Sequence, residues 1–364
     1  MPSPQAPTGA ETMAGLTSLR GIAAWLVVLF HLRVHMDLPL PGMLRLAVDH
    51  GYLAVDLFFM MSGFIMMHVH GLEFGTVTGR SVRAFLVKRL ARIYPLHAAM
   101  LLLYVSVPLA HLTLGGGIDD EVAARFDGGA FVAQLLLVHA ALSLGHSWNV
   151  PAWSIGVEWF AYLAFPAVAA AAQRMRGAAG DAAGFLLPLV LLAAVFRVQG
   201  LPSLDVLDAT ALWRGVLGFT AGVFLHRLYR RSPLLGLGVP LAALILLSAV
   251  MAADGPRDYY AMPCAAAALV VLAAWRRSPL ARALSPRPLV YLGEISYSTY
   301  LIHFYLRDVF KLAFMDESLV MPPGLVLLYL GVVLAGSVAA YHLIELPCRT
   351  WLRGGRLPRP RFAT

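Results

Sequence analysis

The chain has 364 residues, of which 59% are hydrophobic and only 13% charged. Soluble globular domains carry about a quarter of their residues as Asp, Glu, Lys and Arg, so the composition excludes that class and points to a membrane protein. The net charge of +8 lies in loops, in a pattern that fits membrane topology rather than nucleic acid, and two cysteines, Cys264 and Cys348, are too few for a disulfide framework or a zinc site.

Residues 1–15 are rich in Pro and Ala, have no basic start, and read as a short disordered cytoplasmic N-terminus. The first apolar run reads as a retained span, not a cleaved signal. A span needs about 20 apolar residues. Ten candidates follow, at 16–36, 51–70, 94–113, 152–172, 183–199, 211–229, 234–252, 259–275, 291–312 and 324–346. The run at 131–144 is too short to cross and reads as a re-entrant or interfacial helix; residues 351–364 read as a basic cytoplasmic tail. The expectation is an all-α bundle of about ten transmembrane helices, one membrane domain over 16–350, with both termini cytoplasmic.

Loop charges support that count. Exits of even-numbered spans are basic: Arg80, Arg83, Lys88, Arg89 and Arg92; Arg174 and Arg176; Arg227, Arg230 and Arg231; Arg276, Arg277, Arg282 and Arg287. Exits of odd-numbered spans are acidic: Asp37 and Asp49; Asp119, Asp120 and Glu121; Asp205 and Asp208; Asp254 and Asp258; Asp316 and Glu317. Positive charge on alternate exits is the mark of the cytoplasmic side, and it also attracts the anionic lipid of the bilayer.

Within the spans, polar residues stand out. Span one holds Arg20 near its inner end and His31 eleven residues on, about 16 Å further out and nearly three whole turns away, so both share one face. Asp56 in span two and Glu158 in span four fall about 7 and 9 Å below the outer surface, close to the depth of His31. Ionisable residues inside a membrane usually face the bundle interior and mark function. A lone Asp near a span end can instead be a helix-end hydrogen-bonding group. Ser154, one turn from Glu158, reads as a plain helix hydrogen bond or a relay. Arg89 and Arg92, at i, i+3, share a helix face, and their planar forks suit phosphates; with Arg20 they form a candidate phosphate-binding mouth. His303, in mid-span, and Tyr300 are candidate tunnel-lining residues. Glu294 and Glu345 are expected to pair with loop arginines, and His68 and His70 to be solvated. No metal-ligand spacing is visible.

Four stretches carry a resemblance: SLRGIAAWLVVLFH with Arg20 and His31; AVDLFFMMSGF; RLARIYP with Arg89 and Arg92; and WSIGVEWFAYLAFP with Trp153, Ser154, Glu158, Tyr162 and Pro166. Together with LGEISYSTYLIHF and YHLIELPCR they resemble the acyltransferase 3 family of bacterial integral-membrane O-acyltransferases, over about residues 16–350. Ser18 stands where many members carry an acidic residue, and the resemblance is to members without a fused SGNH-type domain.

The resemblance implies transfer of an acyl group from cytoplasmic acyl-CoA, acetyl-CoA above all, in the inner membrane of a bacterium. The acceptor it implies is a hydroxyl of a surface or exported polysaccharide, a lipid-linked glycan, or a secondary metabolite such as a macrolide. It implies functional roles for Arg20, His31, Arg89 and Arg92. On that reading the arginines hold the CoA phosphates, and no bound cofactor is needed. His31 either takes the acceptor's proton or carries the acyl group itself, and Glu158 or Asp56 fixes its tautomer. A proton-coupled transporter is the rival class, since buried His, Asp and Glu also serve proton relays. The sequence is silent on oligomeric state.

Overall fold

A computed structural model describes residues 13–36, 39–113, 120–207, 210–254, 257–315 and 318–352. Most of the terminal segments expected at 1–15 and 351–364 lies outside the described residues, as do the loop acids Asp37, Asp119, Asp208, Asp316 and Glu317. The architecture is all-α. Apart from one parallel bridge between Met36 and Met321, no extended pairing occurs among the described residues.

Among the described residues, ten helices have 17 or more residues, and each overlaps one of the ten stretches expected of spans. They are α1 (Ala14–Leu32), α2 (Ala54–His70), α3 (Gly79–Tyr104), α4 (Trp153–Arg174), α5 (Gly177–Val198), α6 (Thr210–Arg231), α7 (Pro233–Asp254), α8 (Asp258–Ala274), α9 (Ser296–Phe314) and α10 (Pro323–Ala340). Helix is the expected form for such apolar chain, because hydrocarbon offers no partners to backbone N–H and C=O groups. Among the described residues, six helical segments are long and apolar enough to cross a bilayer: Ala14–His35, Gly51–Phe74, Gly79–Thr113, Val150–Arg174, Gly177–Val198 and Pro323–Trp351. Two more, Pro233–Leu247 and Asp258–Ala274, are apolar but shorter.

Packing at the centre relies on small residues that let helix backbones meet. A Cβ on Gly293 would lie 1.8 Å from the Thr17 carbonyl oxygen, and one on Gly21 would lie 2.6 Å from the Gly293 nitrogen, so the short helix Arg287–Glu294 crosses α1 with no room for either. Gly63 of α2 and Gly222 of α6 meet the opposite backbones in the same way. Pairwise contacts also fix direction. Tyr297 of α9 bonds Ile93 of α3, and ring contact recurs further along both at Tyr104 and Tyr305, so α3 and α9 run parallel.

The run at 131–144 does not form a long helix. A helix at Gly128–Leu135 is followed by turns up to a short 3-10 turn at Val150–Ala152. Eight residues rise only about 12 Å, too little to cross. Leu137, Ser143 and Trp148 adopt positive φ, reversing the chain repeatedly. The segment tucks inward: Gln134 and His139 are fully buried, His139 Nε2 meets the Ala152 carbonyl at 2.9 Å, and Asn149 donates to Leu301 O at 3.2 Å.

Candidate active site

Five helices surround a cavity of about 210 Å³ lined by Arg20 of α1, Ser62 of α2, Arg89 and Arg92 of α3, Ser154, Glu158 and Tyr162 of α4, and Ser296 and Tyr300 of α9. The sequence explains why these side chains converge. Ser154, Glu158 and Tyr162 are spaced by four and share one face of α4, and Ser296, Tyr300 and His303 follow i, i+4, i+7 on α9. A reciprocal Thr78–Ser81 capping box starts α3 ahead of its arginines.

Each arginine is held differently. Arg20 donates from Nε and Nη2 to the Gly293 carbonyl at 3.2 and 2.7 Å, and from Nε to Ser296 Oγ at 3.0 Å. These acceptors are neutral, so its charge is left facing the cavity. Arg89 meets Met66 Sδ at 3.4 Å and His70 Nε2 at 3.3 Å, and His70 Nδ1 lies 2.9 Å from Glu73 Oε1. His70 is therefore buried and bridging, not solvated as expected; the carboxylate beside it and the guanidinium opposite give each ring nitrogen a partner. His68, half-buried, meets His226 across α2 and α6. Arg92 forms an ion pair with buried Glu345, whose other oxygen accepts from Ser298 Oγ at 2.8 Å. Glu345 was expected to pair with a loop arginine. Arg92 is one of the arginines at the exit of span two, so that expectation holds, and Glu345 meets it from the π-helical turn Tyr341–Glu345.

Glu158 stands among these arginines. Its Oε1 accepts from Tyr162 OH at 2.5 Å and Ser62 Oγ at 2.9 Å. Ser154 Oγ bonds the Pro151 carbonyl at 3.1 Å, the plain helix bond anticipated, and also Tyr300 OH at 2.9 Å.

His31 lies beyond the Tyr300 end of the cavity and is not among its lining residues. The Tyr300 ring is 6.0 Å from that of His303, and His303 Nε2 is 3.1 Å from His31 Nδ1. Further on, Phe304 packs edge-on against His31 at 5.2 Å, and Arg307 stacks on Phe304 at 3.6 Å.

The expected trio of His31, Asp56 and Glu158 is not brought together. Both oxygens of Asp56 are taken by Arg214 of α6, Nε to Oδ1 at 2.8 Å and Nη2 to Oδ2 at 2.6 Å, with Arg214 also 5.4 Å from the Trp153 ring. A fork-to-fork pair of this kind satisfies the carboxylate fully, and Asp56 is oriented by Arg214 rather than orienting His31. Glu158 is held by Tyr162 and Ser62 in the arginine cavity. Sequence reasoning passed over Arg214; the available signal was a charged residue only a few positions inside span six. Among the described residues no cluster of three or more metal-ligating side chains occurs.

A family model described as an acyltransferase domain, that of acyltransferase 3, matches residues 13–342. Acyltransferase MdmB of Streptomyces mycarofaciens is 28% identical over 380 residues, covering 95% of this chain and 94% of that protein. Protein 2 in the picA locus of Rhizobium radiobacter is 37% identical over 115 residues, 29% of this chain and 59% of that protein. No solved structure matches the chain significantly.

Proposed function

The chain belongs to the acyltransferase 3 family, and from that premise we propose that it transfers an acyl group, acetyl foremost, from cytoplasmic acyl-CoA to a hydroxyl of a sugar. That sugar belongs to a surface or exported polysaccharide, a lipid-linked glycan or a secondary metabolite. The observation that carries the reading is one cavity with three arginines in its wall, ending at Tyr300 beside the His31–His303 contact. The phosphates of CoA stay at Arg20, Arg89 and Arg92, of which Arg20 and Arg89 have no carboxylate in hydrogen-bond contact among the described residues. The thin pantetheine arm runs past Glu158 and Tyr300 toward His31. There the acceptor's hydroxyl proton passes to imidazole nitrogen as the oxygen attacks the thioester carbon. The C–S bond breaks, and the leaving thiolate of CoA takes the proton back. The loop charges favour ten crossings with both termini on the cytoplasmic side of a bacterial inner membrane.

The test is CoA release from acetyl-CoA by the purified protein in liposomes, with host glycolipid or polysaccharide extract as acceptor source. Release should require the extract, fall by about 10²–10⁴-fold in His31→Ala, the range a general base supplies, and lose acyl-CoA affinity in Arg89→Ala/Arg92→Ala. Stoichiometric release without acceptor would instead mark an acyl-histidine step. Absence of both binding and release in folded protein would reject the reading.

A further inference from the structure

We propose that His303 is the positioning partner of His31, accepting from the Nδ1–H that the Val27 carbonyl also holds and so orienting the ring with its Nε2 lone pair left free. The inference rests on the acyl-transfer reading for its catalytic consequence, but on geometry for the contact itself. His31 Nδ1 lies 3.1 Å from the Val27 carbonyl oxygen, and His303 Nδ1 lies 3.2 Å from the Thr299 carbonyl oxygen. A carbonyl only accepts, so in two neutral rings both Nδ1 atoms carry the proton and both Nε2 atoms carry the lone pair. The 3.1 Å contact between His303 Nε2 and His31 Nδ1 then has one consistent sense: the single Nδ1–H of His31 is shared between the Val27 carbonyl and His303 Nε2, and His303 accepts.

His303 is itself immobilised. It is fully buried, its ring is bonded at Thr299, and its own carbonyl accepts from Tyr329 OH at 2.8 Å. The place a carboxylate holds behind the histidine of a catalytic triad is therefore taken by a second, neutral imidazole. When His31 Nε2 receives the acceptor's proton, the Nδ1–H already points at a lone pair that stabilises the imidazolium, and no buried negative charge is needed. The charged groups facing this pair are Arg33 on the α1 side and Arg307 with Asp308 on α9.

The experiment compares wild type, His303→Leu, His303→Gln and His31→Ala, each checked for monodispersity and acetyl-CoA binding. Two readouts are taken: ¹⁵N chemical shifts of His31 in histidine-labelled protein, and CoA release resolved into kcat and KM. Expected are a single Nδ1–H tautomer in wild type and, in His303→Leu, the same tautomer held by the Val27 carbonyl alone, with a displaced His31 Nδ1 shift. With them should come a kcat loss of roughly 10- to 100-fold at unchanged KM, smaller than the loss when a triad carboxylate is replaced, and substantial recovery in His303→Gln, whose amide oxygen can accept. An unchanged His31 Nδ1 shift in His303→Leu, or equal kcat in His303→Leu and wild type, overturns the proposal. Should the leucine variant not fold, an Nε2–H tautomer in wild type overturns it equally. Equal release by His31→Ala and wild type would sink the acyl-transfer role of His31 instead, while the shifts still decide the contact.

Discussion

Asp56 and Arg214 show at the scale of single residues how a charge survives inside an apolar bundle. Both are buried, and each hydrogen-bonding edge meets the other. Removing one partner leaves an uncompensated buried charge, a loss of about 3–5 kcal/mol in such pairs. Asp56→Ala should therefore lower thermal stability sharply in detergent, whereas the paired change Asp56→Leu/Arg214→Met should recover most of it. A thermal melt followed by size exclusion reads both. If Asp56→Ala melted like wild type, the pair would not be a stability element. His31 and Arg20 were legible at this scale because each is an expensive residue in an apolar run. The pairings were not. Arg214 lies 158 residues from Asp56 and His303 lies 272 from His31, and spacing within one helix says nothing about which neighbour it faces.

For elements, the decisive quantity is how closely helices approach. Gly293→Ala should force Arg287–Glu294 away from α1, because the new methyl would collide with the Thr17 carbonyl, and Arg20 would lose its Gly293 acceptor. Folded yield and acetyl-CoA affinity should both fall. Gly331→Ala is the control: nothing lies within 4 Å of its Cβ position in α10, and an interior helix gains up to ~1 kcal/mol from that exchange. The inward-folded stretch after Gly128–Leu135 gives a pH prediction. Burial pushes His139 down to about 4, against its hydrogen bond to Ala152. A depressed histidine is stabilising in its neutral form. Its contribution is thus complete above the unfolded value near 6.5 and is lost as pH falls toward 4, at up to ~1.4 kcal/mol per pH unit. Melting temperature should drop between pH 7 and 5, and His139→Gln should flatten that slope; an identical slope in the variant would exclude His139 as the cause.

For the molecule as a whole, hydropathy and loop charge located ten stretches that each overlap a long helix among the described residues, but not their bounds: α3 starts at Gly79 and ends at Tyr104, against the 94–113 expected. The candidate site was only half legible. Depth can be counted along a helix, and it put His31, Asp56 and Glu158 at one level. Rotation of each helix about its own axis cannot be counted that way, and it turned Asp56 toward α6 and Glu158 toward Ser62 of α2. The pairing of Glu345 with a loop arginine was legible, but the π-helical turn from which it is made was not. The sidedness of the bundle is open to direct measurement. With Cys264 and Cys348 replaced, Asp205→Cys should react with an impermeant thiol reagent added outside cells, and Arg277→Cys, also exposed, only after permeabilisation. The reverse pattern would invert the topology.

α1 is fastened to α9 at two points, through Arg20 to Ser296 and through His31 to His303. The two helices therefore act as one strut that joins the donor end of the molecule to the imidazole and keeps them in phase. One residue inserted between Arg20 and His31 would turn one fastening by about 100° against the other, so an enzyme that still bound acyl-CoA would cease to use it. Any widening of the cavity to admit a substrate must then come from its other walls. Across it, α2 and α4 meet through the hydroxyl of Ser62 on Glu158 and Tyr162 and through the ring of Phe59 against that of Trp153 at 6.0 Å, contacts that do not involve the strut.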